Sequence, residues 1–346
     1  MNILTDVNRS DRAPRAACTS PVIEVRRLRK WYPVRRSMLS SLLGVGEQRY
    51  LRAVDDVSFA VHPGEVLGLA GESGCGKSTT GMTVLKLHAP SGGEILFDGA
   101  DLATLTGRGP LRDFRRNAQI VFQNPYEALN PRFTVLRSVL EPISIHFPDR
   151  RTEYEALARL AMERAGLLPA ENFMHRYPHE MSGGQLQRVA IARAIAVEPR
   201  FLVADEPVSM LDVSIRAGIL NLLKSFAETL NMGILFISHD LSTMRHICTR
   251  IAVMYLGRIV EIGPTDQILD DPRHPYSQAL VAAAPVMRRG TRRRIHLEGA
   301  VPNPANLPSG CRFHPRCPKA IDRCRTDDPQ LHAAGERREA ACHLVA

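Results

Sequence analysis

The run Gly71-Glu72-Ser73-Gly74-Cys75-Gly76-Lys77-Ser78 constrains this chain more than any other part of it. It fits GxxxxGK[ST], it follows the apolar stretch Val66-Leu67-Gly68-Leu69-Ala70, and the helix-compatible TTGMTVLKL starts at Thr79. A strand, a glycine-rich turn and a helix in that order form a cradle for phosphate. The glycines let backbone N–H groups close around a β-phosphate, and the helix start adds partial positive charge. Lys77 is placed to neutralise the β/γ oxygens, and the Ser78 hydroxyl to ligate Mg²⁺.

A phosphate loop of this type needs acidic partners, and the chain supplies a pair. Phe201-Leu202-Val203-Ala204-Asp205-Glu206 is an apolar strand ending in two carboxylates. Asp205 is expected to hold the metal, mostly through water. Glu206, on the other side of the pleat, is expected to take a proton from the attacking water. Around these motifs, apolar runs at Gln119 to Phe122, Ile234 to Ile237 and Ile251 to Tyr255 alternate with helical patterns. That alternation predicts an α/β fold, a sheet with helical crossovers, after a β-rich opening from Val22 to Gly64. Between Phe133 and Val197 the pattern is helical, with Tyr154, Leu157, Leu160 and Ala161 spaced as one apolar face.

Met181-Ser182-Gly183-Gly184-Gln185 goes beyond a generic nucleotide fold. Ser182 is placed to cap a helix through QLQRVAIARAIAV, and two glycines bare the N–H groups at its positive end, a second anion site. This run resembles the signature of ATP-binding-cassette (ABC) ATPases. Gln123, His239 and Ser209-Met210-Leu211-Asp212 resemble the other loops of that family, in the same chain order. The resemblance implies a P-loop cassette, with a RecA-like core, a β-rich subdomain and an inserted helical subdomain. It also implies a head-to-tail dimer, each signature (Ser182, Gly183, Gly184, Gln185) closing on the ATP held by the loop residues Gly71 to Thr79 of its mate, with Asp212 crossing the interface. By the same resemblance Gln123 reaches Mg²⁺ and the lytic water, and His239 contacts the γ-phosphate. Tyr32 looks like the adenine-stacking aromatic, with adjacent Trp31 as the alternative. Met181 stands where leucine is usual, a volume-conserving exchange, and Met210 puts bulk where a small residue is common.

The stretch GRIVEIGPTDQILDDPRHPYSQALVAAAP, followed by GCRFHPRCPKAIDRC and AACH, resembles the C-terminal extension of oligopeptide and dipeptide importer ATPases; FQNPYEALNPR points the same way. The implied organisation is a polar leader at 1–20, a nucleotide-binding domain at 21–264 with its helical subdomain at about 124–198, and an extension at 265–346. The implied partners are two permeases, a second ATPase subunit and an extracytoplasmic substrate-binding protein, with this subunit peripheral on the cytoplasmic side of the membrane. Cys311, Cys317, Cys324 and Cys342 fit no short CxxC zinc rule. Four thiolates suit an iron–sulfur cluster or zinc, and some members of the resembled group carry a 4Fe–4S cluster here. Uncoordinated thiols are the alternative.

Charge enters because a formal +9 raises nucleic acid as a partner. Residues 1–52 hold 11 Lys/Arg against 4 Asp/Glu and residues 286–346 hold 12 against 6, which leaves the stretch between them net negative. Basic ends on a mildly acidic centre fit phospholipid headgroups or partner loops as well as they fit DNA, and without an aromatic-interleaved groove no nucleic-acid partner is expected. No run approaches the ~18 apolar residues of a bilayer span, and the first 20 residues do not read as a signal peptide. The rival readings are a soluble ABC ATPase of DNA repair or translation, an importer of nickel chelates, opines or glutathione, and a nucleotide-gated module without catalysis.

Overall fold

The structure, a computed structural model, describes residues 20–34, 49–283, 300 and 302–345. The loop expected at SMLSSLLGVGEQ, most of the polar leader and the linker PVMRRGTRRR lie outside the described residues.

Two long strands open the chain, β1 (Ile23–Pro33) and β2 (Tyr50–Val61), paired antiparallel. With β4 (Gly92–Phe97) and β5 (Ala100–Asp101) they form a four-stranded sheet in the order β2-β1-β4-β5. The second sheet is built on five parallel strands in the order β9-β3-β8-β7-β6. These are β3 (Val66–Ala70), β6 (Ala118–Val121), β7 (Phe201–Asp205), β8 (Gly233–Ser238) and β9 (Arg250–Tyr255). Every residue of β3, β7 and β8 is buried, as expected of parallel strands covered on both faces. The pleat divides them between two cores. Leu67, Leu69, Phe201, Val203, Leu235 and Ile237 pack toward the four-stranded sheet, whereas Val66, Ala70, Leu202, Ala204, Ile234 and Phe236 pack with the helices.

The helical layer comprises α1 (Lys77–Val84) and α2 (Arg108–Asn117), then α3 (Pro125–Ala128), α4 (Val135–His146), α5 (Tyr154–Arg164), α6 (Glu171–Met174) and α7 (Gly183–Ile195) between β6 and β7. The face expected on α5 is rotated. Ala158, Ala161 and Met162 are buried, Tyr154 and Leu157 are half-buried, and Leu160 is exposed. Leu160 lies about 100° from Ala161 around the axis, so the small side chains that let α4 and α7 approach closely form the contact instead.

After β7 come α8 (Val213–Leu230), then α9 (Leu241–Ile247) behind β8, and past β9 the strand β10 (Arg258–Pro264) with α10 (Thr265–Asp270) and α11 (Pro275–Ala283). The tail adds α12 (Arg323–Thr326), β11 (His332–Gly335) and β12 (Arg338–Ala340). The sequence gives no sign that this tail joins the main sheet. It does: β12 pairs antiparallel with β10, extending the parallel sheet to eight strands. Arg338 on β12 donates to Glu261 on β10 through Nε (3.0 Å) and Nη2 (2.7 Å), both side chains fully covered.

Candidate active site

Four sequence motifs emerge at the carboxyl ends of four adjacent parallel strands, the edge where open α/β sheets bind ligands. Gly71 follows β3, Gln123 follows β6, Glu206 follows β7 and His239 follows β8.

The loop after β3 turns through Gly71 (φ 153°), Gly74 (φ 78°) and Gly76 (φ 109°), conformations that side chains disfavour. A Cβ at Gly76 would sit 2.0 Å from the Ala53 carbonyl oxygen, so the loop's closeness to β2 also requires glycine. Lys77 is buried, its Nζ donating to the carbonyls of Gly71 (2.8 Å) and Glu72 (3.0 Å). Ser78 Oγ donates to Asp205 Oδ1 at 3.0 Å. Burial pushes the Asp205 carboxyl above its ordinary pKa, against the Ser78 hydrogen bond. Two oxygens from Ser78 and Asp205 at one edge are a hard-cation donor set that fits Mg²⁺.

Glu206 has φ 46°, a left-handed backbone uncommon for glutamate, and its N–H donates to the Ile237 carbonyl of β8 (2.9 Å). Strain of this kind holds a side chain at a set position. Gln123 Nε2 donates to Glu206 Oε2 at 2.9 Å, and His239 Nδ1 lies 2.9 Å from Glu206 Oε1. Two residues, 83 and 33 positions from Glu206, therefore share its carboxylate. A cavity of about 320 Å³ beside them is lined by Glu206, Ser209, Arg216, His239 and Asp240, among others.

On β1, Tyr32 and Trp31 take different partners. The Tyr32 hydroxyl meets Thr79 at the start of α1, and Lys30 Nζ lies 4.7 Å from its ring centre. Trp31 Nε1 donates to Asp55 Oδ1 at 3.1 Å. Ser182 caps α7: its hydroxyl accepts from Gln185 N (3.4 Å) while Gln185 Oε1 accepts from Ser182 N (3.0 Å), a reciprocal capping box. A Cβ at Gly184 would meet Ile215 of α8 at 2.7 Å, so that glycine also serves close packing. Among the described residues no hydrogen bond joins Ser182, Gly183, Gly184 or Gln185 to the phosphate loop of the same chain. Asp212 stands at the N-cap of α8 without a side-chain cap bond, and its neighbours Met210 and Val213 are exposed.

The tail cysteines are unpaired, and burial together with the nearby Cys324, Cys342 and Cys317 pushes the Cys311 thiol up to about 11. Among the described residues no group of three or more His, Cys, Asp or Glu side chains is disposed to hold a metal ion. No helix of the described residues is long and apolar enough to cross a membrane.

Comparison with known proteins meets this geometry. The ABC transporter family matches residues 54–209, and the oligopeptide/dipeptide transporter C-terminal region matches residues 260–324. The oligopeptide transport ATP-binding protein AppF of Bacillus subtilis is 44% identical over 332 residues, 95% of this chain and 99% of AppF. The chain belongs to the ABC transporter family, among its ATP-binding subunits. This ABC ATPase is also 46% identical over 326 residues to the probable peptide ABC transporter ATP-binding protein y4tS of Sinorhizobium fredii, covering 94% of this chain and 90% of that one. The ADP- and phosphate-bound dimer of the ATP-binding cassette MJ0796, a post-hydrolysis state, superposes on 70% of the subunit and 98% of its own chain, with a TM-score of 0.61 at 27% identity.

Sequence reasoning missed the tail's contacts with this site. Arg316 pairs with Glu72 (2.9 Å) and Arg312 pairs with Asp55. Both arginines lie in the GCRFHPRC run, but nothing in that pattern says that it returns to the loop; the pairing of β12 with β10 and the packing of Phe313 on Tyr255 and Tyr276 accompany that contact.

Proposed function

We propose that this subunit hydrolyses MgATP with Glu206 as the base and couples hydrolysis to the uptake of di- or oligopeptides. The observation that carries the chemistry is the convergence of Gln123 and His239 on the two oxygens of Glu206, next to the Ser78–Asp205 pair. In this reading the N–H groups of Gly71 to Thr79 and Lys77 bind the phosphates, and Tyr32 supports the adenine. Mg²⁺, when bound through Ser78, Asp205 and Gln123, neutralises phosphate charge. Gln123 and His239 orient the Glu206 carboxylate to accept the proton of the attacking water, a role worth roughly 10²–10⁴-fold in rate. Ser182, Gly183, Gly184 and Gln185 reach the nucleotide of a second subunit, which accounts for their having no bond to their own loop, and exposed Met210 and Val213 flank Asp212 at that interface.

Peptide import is supported by the names of relatives over nearly the full chain and by the match of the C-terminal region. It implies two permeases, a similar or identical second ATPase, an extracytoplasmic binding protein and a peripheral position on the cytoplasmic face of the membrane. Cys311, Cys317, Cys324 and Cys342 are a soft donor set that suits a 4Fe–4S cluster or zinc. As placed, no three of them stand ready to hold an ion, so no step of hydrolysis is routed through them. Iron, sulfide and zinc analysis of anaerobically prepared protein distinguishes cluster, zinc and free thiols.

The test is phosphate release by the subunit assembled with its permeases, with and without peptide-loaded binding protein. Peptide-stimulated release that disappears in Glu206→Gln is the expected result. Release indifferent to permeases and peptide would contradict the transport reading.

A further inference from the structure

Glu72 is the second residue of the phosphate loop, and the tail engages most of its polar groups. Its carboxylate takes a two-pronged pair from Arg316, Nη1 to Oε2 at 2.9 Å and Nη2 to Oε1 at 3.2 Å. Its N–H donates to the Tyr276 hydroxyl at 3.0 Å. Its carbonyl faces the other way and accepts from Lys77 Nζ at 3.0 Å. The side chain of Arg316 is only 7% exposed, and Nη1 also approaches the Tyr255 hydroxyl at 3.5 Å. Behind it Tyr255, Tyr276 and Phe313 form a three-ring cluster with centroids 4.6, 5.3 and 5.4 Å apart, so the guanidinium sits on a rigid support.

The same short turn grips the site's other end. Arg312 donates to Asp55 and to the Leu256 carbonyl in a buried pocket, and Asp55 in turn accepts from Trp31, the neighbour of Tyr32. Within five residues, Arg312 to Arg316, the tail holds the phosphate loop through Glu72 and, through Asp55 on β2, reaches the strand that carries the aromatic.

We infer that residues 312–316 are an intramolecular clamp on the nucleotide site, with Arg316 a positioning residue that sets the phosphate loop through Glu72. The inference rests on the nucleotide reading of that site. The physical reason is preorganisation: a loop fixed before ATP arrives does not have to be ordered by binding. A bidentate guanidinium–carboxylate pair fixes orientation as well as distance, which a lysine ammonium cannot reproduce. A merely structural bridge would hold the tail down and change stability. A clamp changes ATP affinity, and changes it through Glu72.

The experiment measures MgATP binding to the full chain by calorimetry, and the ATP dependence of phosphate release in the assembled transporter. The variants are Arg316→Ala, Arg316→Lys, Glu72→Gln, the double variant Arg316→Ala/Glu72→Gln, and Lys77→Ala. We expect Arg316→Ala to weaken ATP binding about tenfold and to raise KM by a similar factor, with kcat within about twofold. Arg316→Lys should recover only part of the affinity, and the double variant should match the weaker single variant, not the product of both. Glu72→Gln keeps the side chain's shape, so it tests the pair even if Arg316→Ala unfolds. Lys77→Ala separates the two claims. Lost ATP binding in Lys77→Ala with unchanged affinity in both Arg316→Ala and Glu72→Gln overturns the clamp alone. Retained ATP binding in Lys77→Ala overturns the site assignment and the clamp with it.

Discussion

The two charged regions of this subunit follow opposite rules. At the carboxyl edge of the sheet, Glu206 is bound by Gln123 and by His239, whose side chain is 55% exposed; each contact is a single hydrogen bond that can be exchanged. At the joint between cassette and tail, Arg338–Glu261 and Arg312–Asp55 are buried on both sides, and Glu261 also accepts the N–H groups of Arg273 and His274. A buried ion pair is a poor source of net stability against an apolar substitute, but losing one partner strands a charge. The first region is arranged to change partners during a reaction and the second to keep them. Catalytic substitutions should therefore alter rate without stability, and joint substitutions stability before rate.

The sharpest way to break that contrast is Glu206→Gln. The amide keeps the hydrogen-bonding shape but cannot take a proton, so phosphate release should fall by roughly 10²–10⁴-fold while ATP binding and Tm stay near wild type. A Tm loss comparable to that of a joint variant would show that the edge is structural after all. Arg338→Met is the counterpart. It leaves Glu261 charged and without its guanidinium, which should cost about 3–5 kcal/mol, visible as a Tm lower by roughly 10 °C. Gln123→Ala comes third. It removes one of two groups orienting Glu206, and hydrolysis should drop about tenfold with ATP affinity within about twofold, read from single-turnover phosphate release.

The same contrast explains what the sequence made legible. The loop at 71–78, the Asp205-Glu206 strand end and the Ser182 cap are local patterns whose chemistry depends on neighbours a few residues away. The convergence of Gln123, Glu206 and His239 beside the loop follows once β6, β7, β8 and β3 are known to lie side by side; the Ser182 cap is not part of it. The tail joint has no such local signature. Glu261 meets Arg338 across 77 positions, Glu72 meets Arg316 across 244, and Asp55 meets Arg312 across 257. Strands β11 and β12, HAAG and REA, are poor in β-branched and aromatic residues, and their extended form comes from pairing, β12 with β10 and β11 with β12. Leu160 misled for a related reason: hydrophobicity marked it for the core, but the tight approach of helices selected alanines.

The smallest expected effect probes the joint by pH. His274 is wholly buried against Phe313, and its Nδ1 accepts the N–H of Tyr276, so the neutral ring carries its proton on Nε2. Burial lowers its pKa to about 3, against roughly 6.5 for a free histidine. A lowered histidine pKa means that the unfolded chain binds a proton which the folded chain refuses. Its contribution to stability is thus complete above about pH 6.5 and is lost progressively as pH falls toward 3. Between pH 7.5 and 6 the loss from this group is about 1 kcal/mol. Protonation would also break the bond to Tyr276, whose hydroxyl holds the phosphate loop at Glu72, so the charged ring is incompatible with the folded joint. Melting curves of wild type and His274→Asn across this range isolate the term, since asparagine offers an acceptor without titrating. Parallel pH slopes in the two proteins would place the acid-sensitive group elsewhere in the molecule.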